Sequence, residues 1–143
     1  MRRDRSPVRA VAVAAAIGLA VVALRRSIHR VEVVGGSMAP NLLSGDRLVV
    51  VGRPWGAAAW PAPGDVIALR DPRHRERILV KRVSAVHRGD DTVEVHGDAV
   101  HASTDSRAFG PVPRSSIVGR AVHRYAPAGR SGPGPWPGEY DRA

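Results

Sequence analysis

A chain of 143 residues has room for one domain of ordinary size. Because it contains no cysteine, disulfides, thiolate metal ligands and a cysteine nucleophile are all excluded. The formal net charge of +9 would suit a nucleic acid or an anionic membrane surface as partner. The arginines are spread along the chain, however, without a basic helix, a zinc finger or an aromatic-flanked RNA motif. The composition therefore favours a basic protein beside a membrane and predicts no nucleic-acid partner.

The N-terminal segment has the sequence of a membrane anchor. Residues 10–24 are uncharged and apolar, and arginines stand on both sides of them. This run is short of the roughly 20 residues that cross a bilayer, so the predicted single-pass transmembrane anchor is extended to residues 10–28, behind a basic flank at 1–9. A cleavable signal peptide is the alternative, but cleavage would leave the first strand almost at the new N-terminus. The basic flank predicts an anchor in the cell (plasma) membrane with the domain on the extracytoplasmic side.

Short segments with β character follow the anchor and are separated by turns rich in Gly and Asp. Residues 54–63, with two tryptophans and three prolines, predict an irregular loop, and residues 126–143 alternate Pro and Gly and predict a disordered tail. Asp46 and Asp65 are expected to cap turns. These features predict a mainly β domain over residues 31–125. The predicted strands are 31–34, 47–51, 66–70, 78–86, 92–95 and 117–124.

The chain has 22 cationic residues, of which only Lys81 is a lysine. Arginine keeps its proton inside proteins, whereas a buried lysine can lose its proton and act as a base. Lys81 lies in an apolar strand, and Ser37 follows two glycines whose backbone N–H groups can approach a substrate carbonyl. The two residues together predict a Ser–Lys hydrolase. The alternative is that Lys81 is an ordinary surface cation in an arginine-biased composition.

Four boxes of the sequence, in order, resemble those of the type I signal peptidases, which are membrane-anchored Ser–Lys endopeptidases of mostly β fold. The resemblance covers roughly residues 31–125 and the preceding anchor. The boxes are Gly-Ser-Met-Ala-Pro at 36–40, Gly-Asp at 45–46, Lys-Arg-Val at 81–83, and Gly-Asp at 97–98 with the run 103–113.

The resemblance implies a role for each matching residue. Ser37 would be the nucleophile and would also offer its backbone N–H to the oxyanion hole, while Lys81 would be the general base. Ser103 would orient the lysine, and Asp105 and Arg107 would support the site structurally. Without the resemblance, Ser103 and Asp105 would be read as part of an ordinary turn.

The resemblance also implies how a substrate binds. Gly35, Met38, Leu79 and Val80 would contact an extended peptide, which would add a strand to the domain. Small pockets would admit small residues one and three positions before the cut, as in Ala-x-Ala leader sites. The expected partners are precursor proteins with leader peptides and the lipid bilayer, and the expected state is a monomer. No cofactor and no metal are expected, since the six histidines lack paired ligand spacing.

The predicted function is removal of signal (leader) peptides from exported proteins. One alternative is a dedicated maturation protease of the same family, like those that trim the propeptide of nickel-type superoxide dismutase. Self-cleavage, as in repressors with a similar domain, is a second. A catalytically dead, membrane-tethered scaffold is a third. The chain departs from the family pattern at Gly35, where some members have an oxyanion-hole serine, and at Ala99, where many have Asn.

Overall fold

The computed structural model describes residues 7–52 and 60–137. A long N-terminal helix, α1 (Pro7–Arg26), precedes an antiparallel sheet, and a one-turn helix, α2 (Ser106–Phe109), follows the fifth strand. The strands are β1 (Ile28–Glu32), β2 (Arg47–Gly52), β3 (Val66–Arg70), β4 (Ile78–His87), β5 (Thr92–His96), β6 (Val112–Pro113), β7 (Ile117–Ala126) and β8 (Gly132–Pro133).

Helix α1 has 20 residues, all of them exposed. At 1.5 Å per residue it is about 30 Å long, the thickness of a bilayer core. Among the described residues it is the one helix long and apolar enough to cross a membrane. The helix ends earlier than the anchor predicted over 10–28, because the Ser27 hydroxyl donates to the Ala23 carbonyl and Ile28 already belongs to β1.

The sheet runs in the order β1-β2-β7-β3-β4-β5-β6, and β8 pairs with β7. The prediction of a mainly β fold after one apolar helix is confirmed. Five of the six predicted strands are present with small shifts of their ends, whereas the strand predicted at 31–34 is found at 28–32. The short strands β6 and β8 were not predicted, since two residues are too few for a periodic pattern.

Aliphatic residues build most of the core, in two clusters, in a chain of which only 4% of the residues are aromatic. The first cluster includes Met38, Leu42 and Trp136, and the second is built from strands β3, β4, β5 and β7 with β6. Met38 and Leu42 come directly after the predicted nucleophile. The loop that carries Ser37 is therefore anchored by the core beneath it.

The structure differs from the prediction of a disordered tail over residues 126–137. Strand β8 pairs with β7 there, and Trp136 is buried in the first core cluster with the Arg124 guanidinium 5.8 Å from its ring centroid. A segment rich in Pro and Gly cannot form a core of its own. It is ordered here because its tryptophan fills a space in the core of the domain. Residues 138–143 lie outside the described residues.

The predicted loop 54–63 lies mostly outside the described residues, which resume at Trp60. The Trp60 ring is half-buried against the second core cluster. The guanidinium carbons of Arg114 and Arg88 lie 4.8 and 5.7 Å from its centroid.

Candidate active site

Ser37 and Lys81 line one pocket of about 410 Å³. Residues 32–37 form one wall and residues 77–81 form the other. The second wall is an open sheet edge: β3 covers one side of residues 78–82, whereas β5 pairs with the other side only from Arg82 onward. Backbone groups at this edge can pair with an extended peptide. Three of the predicted substrate-binding residues, Gly35, Leu79 and Val80, lie on these walls.

Lys81 is almost completely enclosed, with 3% of its surface exposed. Its Nζ donates a hydrogen bond of 2.9 Å to the Ser103 Oγ. Burial lowers the pKa of Lys81, because the ammonium loses its hydration; the negative charge of Asp105 opposes this shift, and the positive charge of Arg107 adds to it. Lys81 is thus a buried amine, and not an ordinary surface cation.

Asp105 fixes Ser103. Its Oδ2 accepts from the Ser103 hydroxyl at 2.7 Å and from the Gly97 N–H at 2.9 Å, and the Arg107 guanidinium donates to both carboxylate oxygens. Burial alone would raise the pKa of Asp105, but the hydrogen bonds from Arg107, Gly97 and Ser103 outweigh it and lower that pKa well below its ordinary value. The structure therefore brings together Lys81, Ser103, Asp105 and Arg107.

Ser37 lies on a turn whose shape depends on glycine. Gly35 has a φ of +85°, which L side chains rarely adopt. The Ser37 carbonyl accepts from the Ala99 N–H at 2.9 Å, which ties the turn to the segment after β5. Within residues 7–52 and 60–137, no hydrogen bond engages the Ser37 hydroxyl or its N–H. Both groups are available to a substrate that enters the pocket.

Gly97 lies between the Ser37 turn and Ser103, where there is no room for a side chain. A Cβ there would collide with the Ser103 side chain and lie 2.5 Å from the Ser37 carbonyl oxygen. We therefore expect Gly97→Ala to displace one of the two serines, lowering proteolytic activity by about 100-fold and stability by about 1–3 kcal/mol. Cleavage assays and thermal melts of the purified chain measure both effects.

Gly89→Ala is the matched control, since a Cβ at Gly89 would meet nothing within 4 Å. It should retain wild-type activity. Full activity of Gly97→Ala would contradict the assignment of this contact to the site.

A second buried network lies behind the pocket and was not predicted. The Arg82 guanidinium donates two hydrogen bonds of 2.8 Å to the Asp98 carboxylate and one to the Gly64 carbonyl. The Asn41 amide donates to the same carboxylate at 2.8 Å. This network joins the loop after Ser37 to β4 and to the segment after β5. The sequence signal was an arginine beside the lysine in an apolar strand, together with the Gly-Asp pair at 97–98.

Met38 does not lie where the resemblance implied. It is completely buried in the first core cluster and does not line the pocket. The Leu42 N–H donates to the Met38 carbonyl at 2.9 Å, which closes a turn between the two residues, and both side chains are buried in the first core cluster. Met38 therefore holds the loop by packing, and does not contact the pocket.

Asp46 and Asp65 cap turns, as expected. The Asp46 carboxylate accepts from the Leu43 N–H and the Asp65 carboxylate from the Ala62 N–H, each at 2.9 Å. Asp46 has a further role that was not predicted: fully buried, it also pairs with Arg124 and Arg130, and so ties the C-terminal segment to the Ser37 loop.

Comparison with known proteins identifies the family. The sequence model of one family, described as signal peptidase, peptidase S26, matches residues 8–101 and 89–126. The mitochondrial ATP-independent inner membrane protease subunit 1a of Arabidopsis thaliana is 34% identical over 139 residues, which cover 81% of this chain and 75% of that protein. Subunit 1b of the same plant is 32% identical over 124 residues (72% and 73%). The mitochondrial inner membrane protease subunit 2 of Schizosaccharomyces pombe is 32% identical over 120 residues (68% and 64%). The chain therefore belongs to the signal peptidase S26 family of proteases.

Proposed function

We propose that the chain is a membrane-anchored serine endopeptidase in which Ser37 is the nucleophile and Lys81 the general base. The observation that carries the proposal is the position of the one lysine of the sequence. Lys81 is buried, its pKa is lowered by burial, and it lines the same pocket as Ser37, whose hydroxyl makes no hydrogen bond among the described residues.

The hydrogen bonds around Ser103 are compatible with Lys81 acting as a base. Asp105 is ionised because its pKa is lowered, so the Ser103 hydroxyl hydrogen points to it. The Ser103 oxygen is then left as the acceptor for an N–H of Lys81. A neutral amine held in this way keeps its lone pair free for the Ser37 proton. Ser103 is therefore a positioning residue.

The reaction follows from these positions. The Ser37 Oγ attacks the scissile carbonyl as its proton passes to the Lys81 amine, and the Ser37 N–H stabilises the developing oxyanion. Lys81 returns the proton to the leaving amine, which leaves an acyl group on Ser37. A water molecule, deprotonated by Lys81, then attacks the acyl carbonyl. Lys81 returns this proton to the Ser37 oxygen as the acyl–oxygen bond breaks, which releases the second product and restores the free serine.

The substrate class follows from the pocket and the anchor. An extended chain fits between the two walls and pairs with the open edge at residues 78–81. We propose leader peptides of exported precursors as substrates, with α1 holding the domain at the extracytoplasmic face of the cell membrane. The relatives carry "inner membrane protease" in their names, which supports proteolysis at a membrane.

The direct test is cleavage of a precursor with an Ala-x-Ala leader by the full chain in detergent, together with labelling by a serine-reactive phosphonate. We expect one labelled residue, Ser37, and no cleavage by Ser37→Ala with unchanged thermal stability. Processing by Ser37→Ala would overturn the nucleophile assignment, and a wild-type chain that takes no label would indicate a dead site. A deletion strain that accumulates one precursor, rather than many, would favour a dedicated maturation protease over a general leader peptidase.

A further inference from the structure

The pocket lining includes two arginines at the end formed by the loop between β3 and β4. The hairpin loop that joins β3 to β4, residues 71–77, contributes two arginines to the lining, Arg73 and Arg77. Small apolar leader residues alone do not require guanidinium groups at a substrate pocket. The charge at this end therefore indicates a further specificity.

Arg73 is fixed in position, and its positive charge is paired with the carboxylate of Asp71. Its guanidinium donates to both oxygens of Asp71, at 3.0 and 2.9 Å, and lies 5.5 Å from the Phe109 ring centroid. Asp71 is itself fully buried. Arg73 therefore lines the pocket with a guanidinium that is fixed in position.

Arg77 differs from Arg73 in having no such partner. It is exposed, and in the described part of the chain its guanidinium makes no hydrogen bond or ion pair. Its positive charge, like that of Arg73, contributes to lowering the pKa of Lys81. The carboxylate on the opposite wall, Glu32, is paired with Arg47 at 3.4 Å. Arg77 is therefore a cation that faces the pocket and is available to an anionic group.

The distance between Arg77 and Lys81 predicts which substrate residue would place an anionic group beside Arg77. Arg77 precedes Lys81 by four residues, which is about 13 Å in a strand at about 3.3 Å per residue. A peptide paired with this edge has the same rise. On the proposed function, the residues before the cut lie along this stretch of β4, so a substrate residue about four positions before the cut lies beside Arg77.

We propose that Arg77, beside the fixed Arg73, binds the carboxylate of an Asp or Glu located about four residues before the cleavage site. The inference rests on the proposed function and narrows its substrates to precursors with an acidic residue there. A guanidinium can bind a carboxylate through two parallel hydrogen bonds, which the lysine ammonium cannot. The interaction is at an open surface, so we expect an effect of about fivefold on kcat/KM.

The test uses three leader peptides that differ only at this position, with Glu, Gln or Lys. The wild type should cleave the Glu peptide about fivefold faster than the Gln peptide in kcat/KM, and the Lys peptide more slowly than either. In Arg77→Gln the Glu-to-Gln ratio should fall to about one. The ratio cancels any general effect of Arg77 on Lys81, because that effect is common to all peptides.

Arg75→Gln is the matched control, since it removes one positive charge from the same loop but from a residue that does not line the pocket. It should leave the ratio unchanged. Equal cleavage of the Glu and Gln peptides by the wild type, or an unchanged ratio in Arg77→Gln, would overturn the proposal. The proposal would also be overturned if Arg77→Gln bound phosphatidylglycerol vesicles more weakly but kept the Glu-to-Gln ratio of the wild type. That result would assign Arg77 to lipid contact.

A binding measurement separates this inference from the proposed function. The Ser37→Ala chain should bind a fluorescent Glu peptide about fivefold more tightly than the Gln peptide, and the added Arg77→Gln change should remove the difference. If the wild type cleaves no peptide and this preference in binding is present, the proposed reaction fails and the carboxylate site stands. If the preference is absent, the carboxylate site fails whatever the cleavage assay shows.

Discussion

Lys81→Met is expected to abolish cleavage, with a loss of at least about 1,000-fold, while the domain stays folded. Methionine has a similar length and is apolar, so it can fill the buried site without the cost of burying an ammonium. Removing the amine leaves Ser37 without a base in the pocket. Initial rates on a precursor, together with thermal melts, measure the two effects separately.

The pH dependence of the wild type provides a second readout for the same residue. Burial lowers the pKa of Lys81 below its ordinary value of 10.5 in the folded chain. Cleavage should therefore rise with pH as the folded-state lysine loses its proton. Between the folded pKa and 10.5 the unfolded chain binds more protons, so the free energy of unfolding should also rise with pH. Lys81→Met should lack this rise in stability.

Lys81→Arg is the complementary variant, because arginine keeps the charge but cannot act as a base. It should be as inactive as Lys81→Met. Cleavage by either variant at more than a few per cent of the wild-type rate would show that another group takes the serine proton.

Asp105→Asn is expected to lower stability by about 2–3 kcal/mol and activity by about 100-fold. The carboxylate is 1% exposed and holds Arg107, Ser103 and the Gly97 N–H at once. An amide cannot accept all of these bonds, so the Arg107 guanidinium loses its ion pair and Ser103 is free to turn away from Lys81. Activity should fall mainly through kcat, since these groups lie behind the substrate. Denaturation curves and kinetic constants measure the two losses.

The lowered pKa of Asp105 also predicts how the stability of the domain changes in acid. Its stabilising effect is fully present above the unfolded value of 3.8 and is lost as the pH falls toward the folded value. Stability of Asp105→Asn should therefore depend less on pH in this range. Asp91→Asn is the control, because the Asp91 carboxylate is 60% exposed in its pair with Arg114, and should change stability by less than about 0.5 kcal/mol. Equal stability of Asp105→Asn and wild type would contradict the role of this network.

Strands β2, β3, β4, β5 and β7 were predictable from the sequence because each has a periodic or continuous apolar pattern and is ended by a turn. Residues 66–70 match β3 at both ends, and residues 78–86 fall short of β4 by one residue. The meeting of Ser37 and Lys81 at one pocket was also predictable, but only from the ordered boxes of the family. Neither residue type alone identifies a site.

The supporting contacts were not predictable, since they depend on long-range geometry. Asn41, Arg82 and Asp98 lie in three separate segments, and nothing local shows that they share hydrogen bonds. Trp136 lies among prolines and glycines, where composition indicates disorder, and its burial follows from a space that the rest of the core leaves. Met38 was misplaced because the turn from Met38 to Leu42 buries its side chain in the core, and the sequence does not show that direction.

The packing of Trp136 beside Met38 has a consequence for the time at which the enzyme becomes active during synthesis. The core under the Ser37 loop includes a residue near the other end of the described domain, and β8 must pair with β7 to bring it there. A nascent chain that has emerged only as far as β5 already contains both Ser37 and Lys81. It still lacks the tryptophan, Ser103 and Asp105, which hold the serine loop and the amine in place. We therefore expect proteolytic activity to begin only after nearly the whole domain has been translated.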